Sequence, residues 1–254
     1  MFDQPNVPAN PCSAVDPSEE SLKQLAAQLD DGPFLMLNLL DFAPDGGREH
    51  FERYAAVASE AIRDRGGKVL YAGEPLAEAP PEVASDWDRV ICVRYPSRAT
   101  YLDLQQDAGY RAALSDRRAG LARRLLYVTR PGAPPGGPPD LRLPMNRVEP
   151  SSENEIFVIN LLRFRGPQGL ADYVEYSKVV GPEIAKRGGG PALLLEGELP
   201  LVSDGFWHDI LLVRYPTIES LTSMVSSDKW QAANAHRQRG LHETIAFPTR
   251  SVQL

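Results

Sequence analysis

The chain has 254 residues, 43% hydrophobic and 24% charged, a globular composition with room for one large or two modest cores. A net charge of -7 without any basic cluster excludes a nucleic-acid partner, because phosphate neutralisation supplies most non-specific affinity. No uncharged apolar run approaches the ~20 residues that span a bilayer, so no membrane partner is expected and cytoplasmic location follows.

In chain order, residues 1–16 are polar and proline-rich, without the basic start and apolar stretch of a secretory signal, and read as a disordered tail. "DPSEESLKQLAAQL" places Asp16, Pro17 and Glu19 in the cap, first-turn and third-position roles of a helix start, predicting one extra helix. "FLMLNLLDF" (34–42) is an apolar run of strand length with Asn38 at its centre. Phe51, Tyr54, Ala55, Ala58 and Ile62 then mark a helical stripe that ends at Gly66 and Gly67. "KVLYAGEPL" and "RVICVRYP" read as strands. "SRATYLDLQQDAGYRAALSDRRAGL" reads as helix, broken near Asp107, which can cap a second segment from Ala108. "RRLLYVTR" closes a β-α-β-β-α-β unit, the split pattern of a ferredoxin-like sheet.

The unit is written twice. A shift of 122 carries Asn38, Leu39, Leu40 and Phe42 onto Asn160, Leu161, Leu162 and Phe164, and Tyr54 onto Tyr176. A shift of 120 carries "WDRVICVRYP" onto "WHDILLVRYP", Arg117 onto Arg237, and brings Tyr110 to Trp230. Between the copies, residues 131–155 contain seven prolines and read as an extended linker. The expected domains are therefore a tail (1–16), a first repeat with its extra helix (17–130), the linker (131–155) and a second repeat (156–254).

Strands such as "FLMLNLL" and "VICV" are apolar on both alternating sets of positions, so both faces of each sheet must be buried. Two such sheets can cover each other, giving an α+β fold in which two ferredoxin-like repeats pack sheet to sheet as an intramolecular barrel. The "NLL.F" strand, the "Y…I…GG" helix end, the "W…YP" strand and the final helix with its "Y…R" or "W…R" resemble the DUF1330 family of the dimeric α+β barrel superfamily. The resemblance covers about 34–130 and 156–250. It implies a fused pair of domains that are usually single and homodimeric. The family's function is unknown, and the wider superfamily includes cofactor-independent monooxygenases, isomerases, polyketide cyclases and haem enzymes.

Asn38 and Asn160 stand mid-strand, where an unpartnered buried amide costs ~1–3 kcal/mol; each must bond a neighbouring backbone group or serve a ligand. Related barrels carry a cavity between each sheet and its helices, so the resemblance implies that these amides could hold a substrate oxygen there. Tyr54 and Tyr176 lie on the inward helical stripe, as core residues or as proton relays in the same cavity. Trp87 and Trp207 open the third strand, where each walls an aromatic pocket or caps the barrel end. Arg94 and Arg214 recur in apolar strands and need an anion, an internal carboxylate or a ligand oxyanion. Glu74 and Glu198, beside prolines, read as solvated turn residues.

Cys92 reads as a small core residue and Cys12 belongs to the tail, so no disulfide framework is expected. His50, His208, His236 and His242 do not recur at equivalent positions and have no zinc spacing, so no metal is expected. His236 falls roughly where some haem-binding members of the superfamily present an axial histidine, which gives a minor haem alternative. No nucleotide-binding or serine-hydrolase motif is present. Two main readings remain. One is an enzyme without a cofactor, of oxygenase, isomerase or cyclase type, acting on an apolar carbonyl or phenolic compound through the asparagines and tyrosines, with Trp87, Trp207, Arg94 and Arg214 as binding residues. The other is a non-catalytic ligand-binding or structural barrel. In both, the chain is a monomer containing an internal pseudo-dimer, open to further oligomerisation, with a small molecule as partner.

Overall fold

Strand β1 (Phe34–Phe42) pairs along both edges, antiparallel to β3 (Arg89–Tyr95) and β4 (Leu121–Pro131), with Asn38 opposite Ile91 on one side and Leu126 on the other. Strand β2 (Lys68–Pro75) pairs with the far edge of β3. The second four strands follow the same register: β5 (Ile156–Phe164) lies between β7 (Asp209–Tyr215) and β8 (Leu241–Ser251), with Asn160 opposite Leu211 and Ala246, and β6 (Gly190–Val202) lies beyond β7. These assignments come from a computed structural model that describes residues 10–28, 30–79, 83–138, 140 and 142–254.

Two seams join the halves. β4 pairs with β6 from Leu126–Val202 to Pro131–Leu195, whereas β2 meets β8 over only three residue pairs, Gly73–Ser251, Glu74–Arg250 and Pro75–Thr249. The result is a closed eight-stranded barrel, β1-β3-β2-β8-β5-β7-β6-β4, within a mixed α+β fold.

The period-2 pleat divides each strand's apolar residues between two cores. Leu35, Leu37 and Leu39 of β1 enter one interior cluster with Phe157, Ile159 and Leu161 of β5, while Met36 and Leu40 face helices. This is why strands with no polar face fold here: each face has its own cover. Cys92 lies in the interior cluster, and its burial pushes the thiol up to about 12.

Outside β1–β4 lie α2 (Gly47–Asp64), α3 (Arg98–Leu104) and α4 (Ala108–Gly120); outside β5–β8 lie α5 (Gly166–Lys186), α6 (Ile218–Val225) and α7 (Asp228–Gly240). Asp107 caps α4 as its position predicts, accepting from Tyr110 N at 2.8 Å. The long helices cross at glycines because nothing larger fits: a Cβ on Gly120 would lie 2.7 Å from Phe51 N, and one on Gly240 2.6 Å from Gly169 O. That close crossing brings the inward stripes of α2 and α4, and of α5 and α7, to bear on one patch of sheet.

Two expectations need correction at the N-terminus. The extra helix α1 (Glu19–Ala26) exists, but Ser18 caps it, its Oγ accepting from Ser21 N at 3.0 Å; Asp16 is engaged elsewhere. Residues 1–9 of the expected disordered tail lie outside the described residues, but 10–16 are seated on the barrel. Ser203 N donates to Asn10 O (2.8 Å), Cys12 N donates to Asp204 Oδ1 (3.0 Å), and Cys12 and Val15 are buried. Among the described residues of 132–155 there is no helix or strand, but the segment is anchored: Val148 N donates to Leu70 O (2.7 Å), and Met145 and Val148 pack against the interior cluster. No helix among the described residues is long and apolar enough to cross a membrane.

Candidate functional site

Asn38 sits at even register on β1, so the pleat turns it outward, under the crossing of α2 and α4, rather than into the barrel. Its Oδ1 accepts from Arg124 Nε (3.1 Å) and Nη2 (2.7 Å). The hydroxyls of Tyr54 and Tyr110 lie 3.0 Å apart, and Arg117 Nη1 donates to both, at 3.1 and 2.9 Å. Two nearly fully buried arginines demand compensation, and the N-terminal segment provides it. Asp16 Oδ1 accepts from Arg117 Nε (3.0 Å), Asp16 Oδ2 accepts from Arg118 Nε (2.6 Å), and Val15 O accepts from Arg124 Nη1 (3.4 Å).

Burial and the neighbouring Tyr110 push the Tyr54 phenol up to about 12. Burial also opposes ionisation of Tyr110, but Arg117 and Arg124 outweigh it and lower its pKa. Burial works against the Asp16 carboxylate too, and Arg117 with Arg118 still holds it below its ordinary range. The polar centre of the first half is thus saturated by its own side chains.

In the second half the same register carries Asn160, and the same helical positions carry Tyr176 and Arg237. Trp230 replaces Tyr110, however, and Thr244 stands where the first half has Arg124. These five side chains line a cavity of about 1100 Å³. Its walls include Val180, Leu194, Leu211, Leu221 and Met224, and Gly136 and Gly137 of the linker lie at its edge. The polar groups make few bonds: Asn160 Nδ2 donates to Val158 O (3.1 Å), Trp230 Nε1 to Tyr176 OH (3.2 Å), and Arg237 Nη2 to Thr244 Oγ1 (3.3 Å). Burial raises the Tyr176 pKa, so the phenol stays protonated at neutral pH, a hydrogen-bond donor.

Beside this cavity, Asp209 faces Glu196 across the β6–β7 pair, where the first half has Arg89 facing Glu74. Burial, then the Glu196 charge, pushes the Asp209 carboxyl up to about 7. Glu74 and Glu198 are not the solvated turn residues expected. Glu74 Oε1 accepts from Arg89 Nε (3.0 Å), and Glu198 pairs with the buried Arg98.

The remaining candidates lie elsewhere. Trp87 and Trp207 belong to the interior cluster and flank a smaller cavity of about 370 Å³ at one barrel mouth, with Cys12 and Arg123. Arg123 stacks over Trp87 at 4.7 Å, and Trp207 N donates to Tyr127 OH at 3.2 Å. The tryptophans therefore cap the barrel and do not wall the cavity holding Asn160. Arg94 and Arg214 sit opposite Leu35 and Phe157, at an end of the interior-facing rows. Arg214 Nε lies 3.6 Å from the buried Glu155, the internal-carboxylate alternative of the two anions its position demands.

The histidines resolve into paired exchanges. His50 Nδ1 lies 2.7 Å from Asp116; at the corresponding second-half positions Asp172 replaces the histidine and His236 replaces the aspartate, 3.6 Å apart. Likewise Asp41 with Arg123 becomes Arg163 with Glu243. His208 takes the place of Asp88, and each accepts from a backbone N–H, of Phe164 (3.2 Å) and of Phe42 (2.7 Å). His242 is exposed. Among the described residues no group of three His, Cys, Asp or Glu side chains is placed to hold a metal.

The polar residues that sequence reasoning did not place in the site are Asp16, Tyr110, Arg117 and Arg124, with Trp230, Arg237 and Thr244 as the counterparts of the last three. The shifts of 120 and 122 already aligned Arg117 with Arg237 and Tyr110 with Trp230. An informative position is one where the alignment fails, Arg124 against Thr244.

Residues 46–131 match the family described as a Domain of unknown function (DUF1330). No curated protein matches the chain. Among solved structures, a protein of unknown function from Rhodopseudomonas palustris is 30% identical, with 47% of this chain and 98% of that one covered and a TM-score of 0.42. An anthrone oxidase-like protein is 10% identical, with coverage of 89% and 93% and a TM-score of 0.55. A mutant chlorite dismutase from Candidatus Nitrospira defluvii is 13% identical, with coverage of 91% and 94% and a TM-score of 0.51. The last two likenesses are of fold alone. Haem does not fit the residues present: His236 is engaged by Asp172 and by Arg239 (2.7 Å) outside the cavity, and no histidine among the described residues lines it. Residues 46–131 thus carry a match to the DUF1330 domain, set within a closed eight-stranded α+β barrel whose fold those neighbours share.

Proposed function

We propose that the protein binds a small apolar molecule in the second-half cavity, with Asn160 and Tyr176 at its polar end. The observation that carries this reading is the contrast at one register: the polar cluster that closes on itself in the first half is left lining about 1100 Å³ of space in the second. A volume of that order, mostly apolar with a few convergent polar groups, is what small-ligand sites have in common. A protonated Tyr176 and the Asn160 amide can stabilise negative charge developing on a carbonyl or phenolic oxygen, the chemistry of cofactor-independent oxygenases, isomerases and cyclases. In this reading Asn38 and Tyr54 are structural, and Trp87, Trp207, Arg94 and Arg214 serve the barrel rather than the ligand.

The architecture that supports this is a tandem duplication, ferredoxin-like units over 17–130 and 156–254 closing as an intramolecular pseudo-dimer. The reciprocal exchanges His50/Asp116 with Asp172/His236 and Asp41/Arg123 with Arg163/Glu243 favour it, since a swapped pair keeps its charge balance only if the two positions were already in contact. A non-catalytic ligand-binding barrel uses the same cavity and differs only in turnover.

The test is thermal shift with 2-naphthol and 2-acetonaphthone on the wild type and on Asn160→Leu. A saturable rise in melting temperature that Asn160→Leu abolishes is expected. No shift in the wild type at millimolar ligand overturns the reading.

A further inference from the structure

The first half carries a template for what the second half lacks. Asp16 belongs to neither set of four strands and their helices. It reaches Arg117 from a distance of 101 residues in the chain and sets one carboxylate oxygen against the guanidinium beside the two tyrosine hydroxyls. Val15, next to it, is buried against the apolar cluster of that half. A carboxylate with an apolar neighbour is therefore what this arginine position accepts when the space beneath the helices is filled.

Arg237 occupies that position in the second half and lines the cavity. Its bond is to Thr244 Oγ1, and among the described residues no carboxylate lies within ion-pair distance of it. The neighbouring donors are oriented for an anion. The indole Nε1–H of Trp230 can only donate, so Tyr176 O accepts from it and the Tyr176 O–H is left to donate onward. Two groups thus converge on the polar end of an apolar cavity, one a cation and one a protonated hydroxyl.

We infer that the ligand of the second cavity is an apolar monocarboxylate, its carboxylate held by Arg237 as Arg117 holds Asp16 in the first half, with the Tyr176 hydroxyl as a second donor, and that the chain has one such site because the N-terminal segment occupies the other. This inference rests on the binding reading above and adds the charge of the head group and the stoichiometry.

Titration calorimetry with 2-naphthoate and its neutral isostere 2-naphthamide tests it, with 2-naphthol as a third probe. Naphthoate is expected to bind one per chain and about tenfold or more tighter than naphthamide, as a charge-assisted contact requires. Arg237→Gln should bring the naphthoate affinity down to that of naphthamide, and Arg237→Lys should restore part of the preference. Equal affinities for naphthoate and naphthamide in the wild type, a preference that survives in Arg237→Gln, or two naphthoates per chain would overturn the inference. If naphthol or naphthamide binds while naphthoate shows no advantage, the carboxylate assignment fails and the cavity reading stands. If none of the three binds at millimolar concentration, both fall.

Discussion

At position 124 the first half places an arginine against Asn38; at position 244 the second half places a threonine, and Asn160 lines a cavity instead. Strand register, helix crossing and the central asparagine are the same in both. What differs is whether the protein supplies its own partners. In the first half it spends two arginines, two tyrosines and an aspartate from the N-terminal segment to leave every member bonded. The lesson is that a buried asparagine at a fixed register is neither structural nor functional by itself; the residue across the strand pair and the segment above it decide.

The sharpest way to break this comparison is to remove the counter-charge. Arg117 is 2% exposed, so Asp16→Ala strands a buried cation and should cost ~3 kcal/mol. Arg237→Gln in the second half should change stability by less than ~0.5 kcal/mol. Urea denaturation of both variants gives the numbers, and similar losses would mean that the halves are equivalent after all. Next in size, Asn38→Leu removes the acceptor of Arg124 Nε and Nη2, leaving only Val15 O, and should cost ~2 kcal/mol, a charged hydrogen bond being at stake, whereas Asn160→Leu should fall within ~0.5 kcal/mol of the wild type.

Asp209 allows a pH test of the same contrast. Its folded pKa of about 7 lies above the ordinary 3.8, so its contribution to stability is full below pH 3.8 and is lost as pH rises through 7. Asp209→Asn should therefore raise stability by ~1 kcal/mol at pH 8, a figure reduced for its partial exposure, and by little at pH 5. Arg89→Gln at the corresponding first-half position should destabilise at both pH values, since it breaks a pair with Glu74. The smallest effect belongs to His208. Burial, then Arg163, lowers its pKa below 6.5, so the stability it gives is complete above pH 6.5 and lost as pH falls through its folded value, when Nδ1 can no longer accept from Phe164 N. His208→Asp, which copies Asp88, should remove that loss between pH 7 and 5, by under ~1 kcal/mol. A melting profile across that range is the measurement.

Much of the fold was legible because it is encoded locally: strand length at 34–42, the glycine stops after α2 and α5, the cap at Asp107, and the two-sided apolar strands that demand a closed barrel. The helix-facing direction expected of Asn38 and Asn160 came from the resemblance to related barrels, since a strand apolar on both faces does not by itself tell one face from the other. The Asp16 contact was not legible, since an ion pair spanning 101 residues leaves no periodicity, and Asp16 resembles a helix cap to any local test. Trp87 and Trp207 show a related limit: they lie two residues ahead of β3 and β7, at the barrel mouth, and whether such a residue walls a pocket or caps the barrel is a choice of face that composition does not encode. Arg124 was readable in principle, as a polar position of the first half that the internal alignment sets against an uncharged threonine in the second.

The unequal seams have a consequence for motion. β4 and β6 are laced from Leu126 to Pro131, while β2 and β8 share three residue pairs and the Tyr71–Thr249 hydroxyl bond of 2.6 Å. A closed ring of strands opens where its lacing is shortest, so slow native-state amide exchange should be leakiest along 73–75 and 249–251, with the β4–β6 side serving as the hinge. Phe247 and Pro248, on the strand that would swing, also line the second-half cavity. A bound molecule touching them would act as a bolt across that door, slowing exchange at the seam in proportion to its occupancy.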